Sequence, residues 1–584
     1  MKLFNFSEIY QKAESAFLRF PITLTWAILG TFFVIYIVEF DLDFDNYVRE
    51  TSTLFLGISW LIGTQFFIEQ QKGSKPKMWL FIITIALLLI FYFHLPKEDS
   101  FKNPIYYTRF LLYVFAGHLF LFVSPFLNSW NKNAFWNYLK SIFIAIGRSL
   151  LFSIVLYLGL SLALLAIEYL FVFEIKGERY FQIFIFCLGI VNTWTYLSDF
   201  PKNIQEQTTI NYNKALEVFV KYILIPLVIL YLIILYAYSF KILFTWNLPK
   251  GWVSYLVIAL SLLGFIIQTM INPIQKTIKS PVINRFHPWF YYLLTPLLLL
   301  LFIAIFKRIG DYGFTENRYF ILILALWITG MTGYLLFSKN KYLKILPLTL
   351  TIVTLLISIG FWSAFNISKI SQLSEFKQAF RTAKLNKNIA TKEEYETLES
   401  VLRYFYKRDK LDLLDSIVGV KLDSVYLRRN GKFKNNYYLN TTYILDSLNI
   451  IKPKENDNLD SKYMSFVLDK TTLNTDLNNY QKLYYISFQK QPKNSIDSIY
   501  TFEIINHETQ AVIKEHDTIL FELNLKSLID KNPSDYYYEL PEEDLIFNFK
   551  NDKVLMKLII ESLNINIEKG DINIQNLTAF VLIK

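Results

Sequence analysis

One cysteine in 584 residues, Cys187, excludes a disulfide within the chain and any multi-cysteine metal site. Charge is scarce too: Asp, Glu, Lys and Arg make up 18% of the residues, against about 25% in an ordinary soluble chain. No phosphate-binding glycine loop, dinucleotide fingerprint, paired-histidine zinc motif or nucleophile elbow occurs. No cofactor and no metal is therefore expected. Asp41-Leu42-Asp43-Phe44-Asp45-Asn46 opens like a calcium loop, but Asn46 and Ser52 stand where glycine and glutamate are required. His507 and His516 supply two ligands at most, which is no zinc site.

What is present is apolar, with 53% hydrophobic and 18% aromatic residues. Residues 1–365 hold 29 Lys and Arg against 18 Asp and Glu, whereas residues 366–584 hold 30 against 31. The positive excess thus sits in the apolar part, as basic loops between membrane spans require. A nucleic-acid partner would need a basic stripe on a soluble domain, and none is expected. Runs of about twenty apolar residues, enough to cross a bilayer, fall near 20–40, 52–70, 78–95, 106–127, 147–172, 181–200, 216–240, 252–271, 289–306, 319–337 and 345–365. The second, ending in Glu69-Gln70-Gln71, is the most polar. Residues 1–19 are polar, with Phe6, Ile9, Ala13 and Phe17 on one helical face, and no small-residue cleavage site ends the first run. It reads as a retained span.

Lys and Arg at alternate span ends set the orientation. The ends sharing a side with the N-terminus carry eighteen, from Lys2 to Lys344, and the opposite ends carry eleven, from Arg49 to Arg318. The expectation is a multi-pass protein of the bacterial inner membrane with a cytoplasmic N-terminus. About eleven spans then put residues 366–584 outside the cytoplasm. The expected fold is a polytopic α-helical membrane bundle followed by a soluble α+β domain with an antiparallel β-sheet or sandwich. Its parts are an N-terminal helix at 1–19, the bundle at 20–365, a helical connector at 366–420, a linker at 421–462 and a β-rich domain at 463–584. Thr391-Lys392-Glu393-Glu394 has capping-box form ahead of Leu398, Val401, Leu402 and Phe405 at helical spacing. From residue 463 the period becomes two, and 463–468, 483–488, 518–523, 545–549, 555–565 and 572–583 read as strands, six to eight in all.

Arg19-Phe20-Pro21, Leu197-Ser198-Asp199-Phe200-Pro201, Trp246-Asn247-Leu248-Pro249-Lys250-Gly251-Trp252-Val253 and Arg308-Ile309-Gly310-Asp311-Tyr312-Gly313-Phe314-Thr315-Glu316-Asn317-Arg318-Tyr319 together resemble the bacterial domain-of-unknown-function family numbered 4153. The resemblance runs over nearly the whole chain, most clearly residues 19–420. It implies a polytopic inner-membrane protein and no particular activity.

Two connections expected on the outer face, 241–252 and 307–318, are basic against the orientation rule. Lys241, Trp246, Lys250 and Trp252 mark the first; Arg308, Asp311, Tyr312, Glu316 and Arg318 mark the second, beside Lys307. Tryptophan suits a membrane interface, where its ring keeps one edge wet. These residues are the candidate binding site, either a polar pocket for an anionic headgroup or a surface that docks the following domain. Snorkelling cations and a local pair of Arg318 with Asp311 or Glu316 are the plainer reading. His118, near mid-span, is a further candidate, set against a helix-packing role. Three functions stay open: a non-enzymatic envelope protein presenting its β-rich domain to an envelope partner or lipid, a transporter or lipid-handling permease, and an enzyme acting on a lipid-linked substrate with Asp311 or Glu316 as base.

Overall fold

The computed structural model describes residues 6–71, 78–97, 101–171, 174–245, 252–275, 280–422, 424, 441–452, 461–468, 477, 479–489, 493–496, 499–505, 510–516, 518–525, 528, 536–540, 542–550, 554–568 and 571–584. The chain divides into two units, Met1–Pro453 and Lys454–Lys584.

In the first unit, nine helices among the described residues are long and apolar enough to cross a membrane: Pro21–Glu39, Phe44–Glu69, Pro104–Phe126, Lys132–Phe171, Gly177–Ser198, Lys214–Thr245, Val253–Ile271, Pro281–Tyr312 and Glu316–Phe337. The protein is a multi-pass membrane protein. Two shorter apolar helices, Trp79–His94 and Ile345–Ser358, fill the third and eleventh expected runs. Their 16 and 14 residues reach about 24 and 21 Å at 1.5 Å per residue, short of a hydrocarbon core of about 30 Å. Each is cut short by its sequence. Leu95 is extended ahead of Pro96, as the residue before a proline prefers, and Ile359 is extended ahead of Gly360, whose φ is +86°.

Helix ends sort into two groups, as alternating spans require. At one end Arg19 meets Glu69 and the carbonyls of Phe200 and Pro201, and Lys344 donates to the carbonyls of Phe126, Leu127 and Ser129. At the other Arg179 pairs with Glu39, Arg49 donates to the Tyr92 carbonyl, and Tyr319 donates to the Trp362 carbonyl. The second helix, polar though its sequence is, lies at the centre: Leu56, Leu61, Ile62 and Phe66 are all buried. Its Thr64 hydroxyl lies 2.9 Å from the Thr84 hydroxyl, and each is also within reach of a carbonyl of its own helix, so one proton bridges the two hydroxyls and the other closes onto the backbone. Polar residues therefore join neighbours here without leaving an unmet group in the hydrocarbon. The polar N-terminal stretch forms the helix Phe6–Arg19, held by Phe17 stacked on Trp194 and by the Trp194 indole bonded to the Ala13 carbonyl.

Helices continue past the last span. Ala364–Leu385, Lys392–Tyr406 and Asp412–Val418 pack around Phe376, Leu398, Leu402 and Phe405. Thr391 and Glu394 form the expected capping box. Within the stretch read as a linker, Thr441–Ser447 is helical and adds Ile444 and Leu445 to the same core. Residues 425–440 and 453–460 of that stretch lie outside the described residues.

The second unit holds ten described strands, more than the six to eight expected: β1 Ser461–Leu468, β2 Lys482–Gln489, β3 Lys493–Ser495, β4 Tyr500–Ile505, β5 Gln510–Glu515, β6 Thr518–Asn524, β7 Tyr536–Leu540, β8 Ile546–Lys550, β9 Leu555–Glu568 and β10 Asp571–Ile583. One sheet runs β2-β10-β9-β1-β7 with β8 also on β9, and a second runs β3-β4-β5-β6. The pairings are antiparallel except β1 with β7, which is parallel. Both sheets contribute to one apolar core, with Met464, Phe466 and Ile560 from the first and Phe502 and Ile513 from the second. In β9 the buried positions switch phase from 556, 558 and 560 to 563 and 565. The register with β10 shifts there, between Thr578 and Ala579, as a bulge requires.

Candidate functional site

The connection at 312–318 is built around Gly313. The preceding helix, Pro281–Tyr312, ends there with φ +66°, a left-handed conformation that glycine adopts without strain. A Cβ at this position would also lie 2.8 Å from the Glu375 Cγ and the Ser371 Oγ. The turn is thereby pressed against the helix Ala364–Leu385. Ser371 Oγ accepts from the Phe314 amide at 2.8 Å, and Gln372 Nε2 donates to the carbonyls of Phe314 and Tyr312 at 2.9 and 3.2 Å.

Glu316 opens the next helix, where the partial positive charge of a helix N-terminus favours a carboxylate. It is buried. Arg408 grips it with two parallel bonds, Nη2 to Oε2 at 2.8 Å and Nε to Oε1 at 3.0 Å. Tyr404 donates its hydroxyl to Oε1 at 2.8 Å, and its ring lies 3.6 Å under the guanidinium. Burial, and then the Glu316 carboxylate, push the Tyr404 phenol far above its ordinary range, so it stays a donor. The Arg408 carbonyl in turn accepts from Asn103 Nδ2 at 2.9 Å. The expected local pair of Arg318 with Glu316 is therefore replaced by one that reaches 92 residues along the chain. Arg318 turns back instead, donating to the carbonyls of Tyr312 and Gly313 at 2.9 and 2.8 Å with its guanidinium over the Tyr312 ring.

Of the other candidates, Asp311 is exposed and Arg308 half-buried on the last turn of the preceding helix. Lys241 is exposed near the end of Lys214–Thr245. Trp246 and Lys250 lie outside the described residues, and Trp252 opens the helix Trp252–Ile271. From the second expected loop, Asn317 Nδ2 donates to the hydroxyl of Tyr255, in the helix that follows the first, at 2.6 Å. His118 belongs elsewhere. Its Nδ1 meets the Val114 carbonyl at 2.8 Å, and its ring lines a cavity of about 660 Å³ with Trp26, Thr31, Asn192 and Tyr196.

At the opposite end of the bundle, two of the family-like stretches meet. Arg19 closes its helix and binds Glu69 bidentately, Nε to Oε1 at 2.9 Å and Nη2 to Oε2 at 2.8 Å. Its remaining donors reach the Phe200 carbonyl at 2.7 Å and the Pro201 carbonyl at 3.1 Å. Gln65 adds a bond to Glu69 Oε1 at 2.8 Å, and Asp199 pairs with Arg148 at 2.9 Å.

A second cavity, of about 630 Å³, lies between Trp79–His94, Val48–Glu69 and Pro104–Val123. No carboxylate lines either cavity among the described residues. Both are walled mainly by apolar and aromatic side chains, with a few polar groups among them.

A model of the family described as Domain of unknown function (DUF4153) matches residues 56–388, more than half of the chain. The chain belongs to that family. The DUF4153 match begins inside the second span, takes in the 630 Å³ cavity, part of the wall of the 660 Å³ one and Glu316, and stops within the connection between Ala364–Leu385 and the helix that carries Tyr404. An uncharacterized protein of Pasteurella multocida (strain Pm70) is 25% identical over 434 residues, covering 72% of this chain and 70% of that protein. No solved structure matches. Sequence reasoning missed Arg408 and Tyr404. Tyr404 lies on an amphipathic helix and Arg408 in the turn just past its end, and no local signal separates partners 88 and 92 residues away from solvated side chains.

Proposed function

We propose that this DUF4153 protein is a non-enzymatic membrane anchor of the bacterial cell envelope. Its spans hold the helices of residues 364–448 as a fixed platform that carries the β-rich unit for a partner, or a lipid, to bind. The observation behind this reading is the Glu316–Arg408–Tyr404 lock. Its buried, doubly bonded charge is spent on fastening the platform to the bundle. The surplus of Lys and Arg on the N-terminal side supports a cytoplasmic N-terminus and an extracytoplasmic β-rich unit in the inner membrane. An enzymatic role would need Asp311 or Glu316 free beside a cavity. Neither lines either of the two cavities described, and Glu316 is fully engaged. The two apolar cavities favour lipid handling as the second reading.

Reporter fusions after Lys72 and Lys341 should read cytoplasmic and fusions after Lys369 extracytoplasmic. A truncation at Pro453 should insert at normal level yet fail to complement a deletion phenotype. Full complementation by residues 1–453 would overturn the reading, because the carried unit would then be dispensable.

A further inference from the structure

Arg109 has a charge with no carboxylate to meet it among the described residues. It sits five residues beyond Pro104, where its helix starts, so about 7.5 Å into the span. From a position this near a span end, a long side chain can reach the headgroup layer. Its partners among the described residues are neutral: Nη1 meets His94 Nε2 at 2.5 Å, and the guanidinium faces the Phe365 ring at 4.8 Å. Arginine only donates, so His94 Nε2 is the acceptor and its proton is on Nδ1. The pair therefore carries one net positive charge. The Nε–H of Arg109 is buried and unbonded, so the side chain does not simply snorkel all its donors into water.

This cation stands at one end of the 630 Å³ cavity, whose wall includes His94, Arg109 and Gly360 there and Leu80, Phe67 and Leu127 at the far end. Leu80 and His94 lie on one helix, about 21 Å apart along its axis. One leaflet of hydrocarbon is about 15 Å deep. Among the described residues the polar wall between the two ends is Trp60, whose indole is bonded to the Tyr113 carbonyl, Tyr113 itself and the Thr64–Thr84 pair, bonded to each other and to the backbone. Water finds few partners there. Ile83, Leu87 and Ile90 of the same wall are exposed, so the cavity opens sideways, toward the lipid. The occupant must be long, apolar and anionic at one end.

We propose that this groove holds a phospholipid of net negative charge from the surrounding bilayer, its phosphate on Arg109 and His94 Nδ1–H and one acyl chain along the Trp79–His94 helix. Basic pockets between spans take anionic headgroups in this way. The inference goes beyond the anchoring reading and does not need it, since lipid occupancy is measured without reference to the β-rich unit.

The test compares retained lipid and thermal unfolding of the full-length protein in nanodiscs of phosphatidylglycerol with phosphatidylcholine, in phosphatidylcholine alone, and in phosphatidylcholine with inorganic phosphate. The native protein should keep phosphatidylglycerol through delipidating detergent and unfold at a higher temperature in its presence. Arg109→Gln should retain about fivefold less or lower still, the effect of one cation near a membrane surface. Leu87→Trp leaves the charge in place and fills the groove, and should also lose retention. If Arg109→Gln does not fold, Leu87→Trp decides alone. Undiminished retention in Leu87→Trp overturns the proposal, as does native-like retention in a folded Arg109→Gln. An Arg109-dependent shift with inorganic phosphate that Leu87→Trp leaves intact would reassign the site to a bare anion and overturn it equally.

Discussion

The two buried ion pairs of the helical unit have the same geometry and opposite settings. Arg19–Glu69 and Arg408–Glu316 are each bidentate, with closest contacts of 2.8 Å. Both carboxylates are largely buried, with 18% and 11% of the side chain exposed. Glu316 sits at a helix N-terminus and Arg408 just past the C-terminal end of Lys392–Tyr406. The dipoles of both helices favour that arrangement. At the other pair only the arginine is well placed. Arg19 ends its helix, but Glu69 ends its own helix as well, where a negative charge is disfavoured. Glu69 thus depends on its partner more than Glu316 does. Arg19 also ties together three spans, whereas Arg408 ties a span to a helix beyond the membrane part.

The comparison breaks or holds on four measurements. The largest effect is expected for Arg19→Ala. It strands a buried carboxylate at a helix C-terminus and frees two backbone carbonyls. The loss should be about 4–5 kcal/mol, read as a collapse of membrane level and of unfolding temperature in detergent. Arg408→Ala should cost about 3 kcal/mol, because Tyr404 and the helix N-terminus still serve Glu316. Its signature is local. Limited proteolysis should cut near residues 386–391 while the spans stay folded. Equal losses, or a global collapse from Arg408→Ala, would erase the distinction. Arg403→Ala removes an exposed pair with Glu399 one turn away and should cost about 0.3–0.5 kcal/mol.

The smallest effect concerns pH. Burial raises the Glu375 carboxyl above its ordinary range, although Arg318 pulls it down. A carboxyl raised on folding stabilises the fold below its unfolded pKa and loses that contribution as pH rises through the folded one. Glu375→Gln should therefore unfold at a slightly higher temperature than the native protein at pH 7. The two should converge near pH 4, and melting curves at both values decide it.

The spans were legible because each is a long apolar run, and lipid admits few other structures. The third and eleventh fall short in length for reasons that were also in the sequence, at Pro96 and Gly360. Strands β1, β2, β6, β8, β9 and β10 show a period of two. Strand β7, Tyr536–Leu540, begins with three tyrosines and has no alternation to read, and β5, Gln510–Glu515, is short and ends in charge. The site divides in the same way. Gly313, Glu316 and Arg318 stood out by their density of turn and charged residues. Their partners Ser371, Gln372, Tyr404 and Arg408 did not, because polar residues on an amphipathic helix or in the turn after it are ordinary until the fold shows what they face. The polar end of the second span, Gln65 through Glu69, argued against burial when read alone. Its carboxylate is largely covered because Arg19 comes from outside its own helix to meet it.

Two consecutive spans each contain a wide turn of π-helical form, Cys187–Asn192 and Val220–Leu224. Such a turn is one residue more than a regular helix needs between two fixed faces. A single-residue deletion in an ordinary stretch of helix swings everything beyond it by about 100° and unseats the packing. Within these two turns the same deletion would leave a plain α-helix with both flanks still facing their neighbours. Pro226 lacks the amide that would bond back to Tyr222 in a regular ladder, so the turn at Val220–Leu224 also absorbs a gap. These are the places where the length of the chain can change by one residue while the bundle keeps its shape.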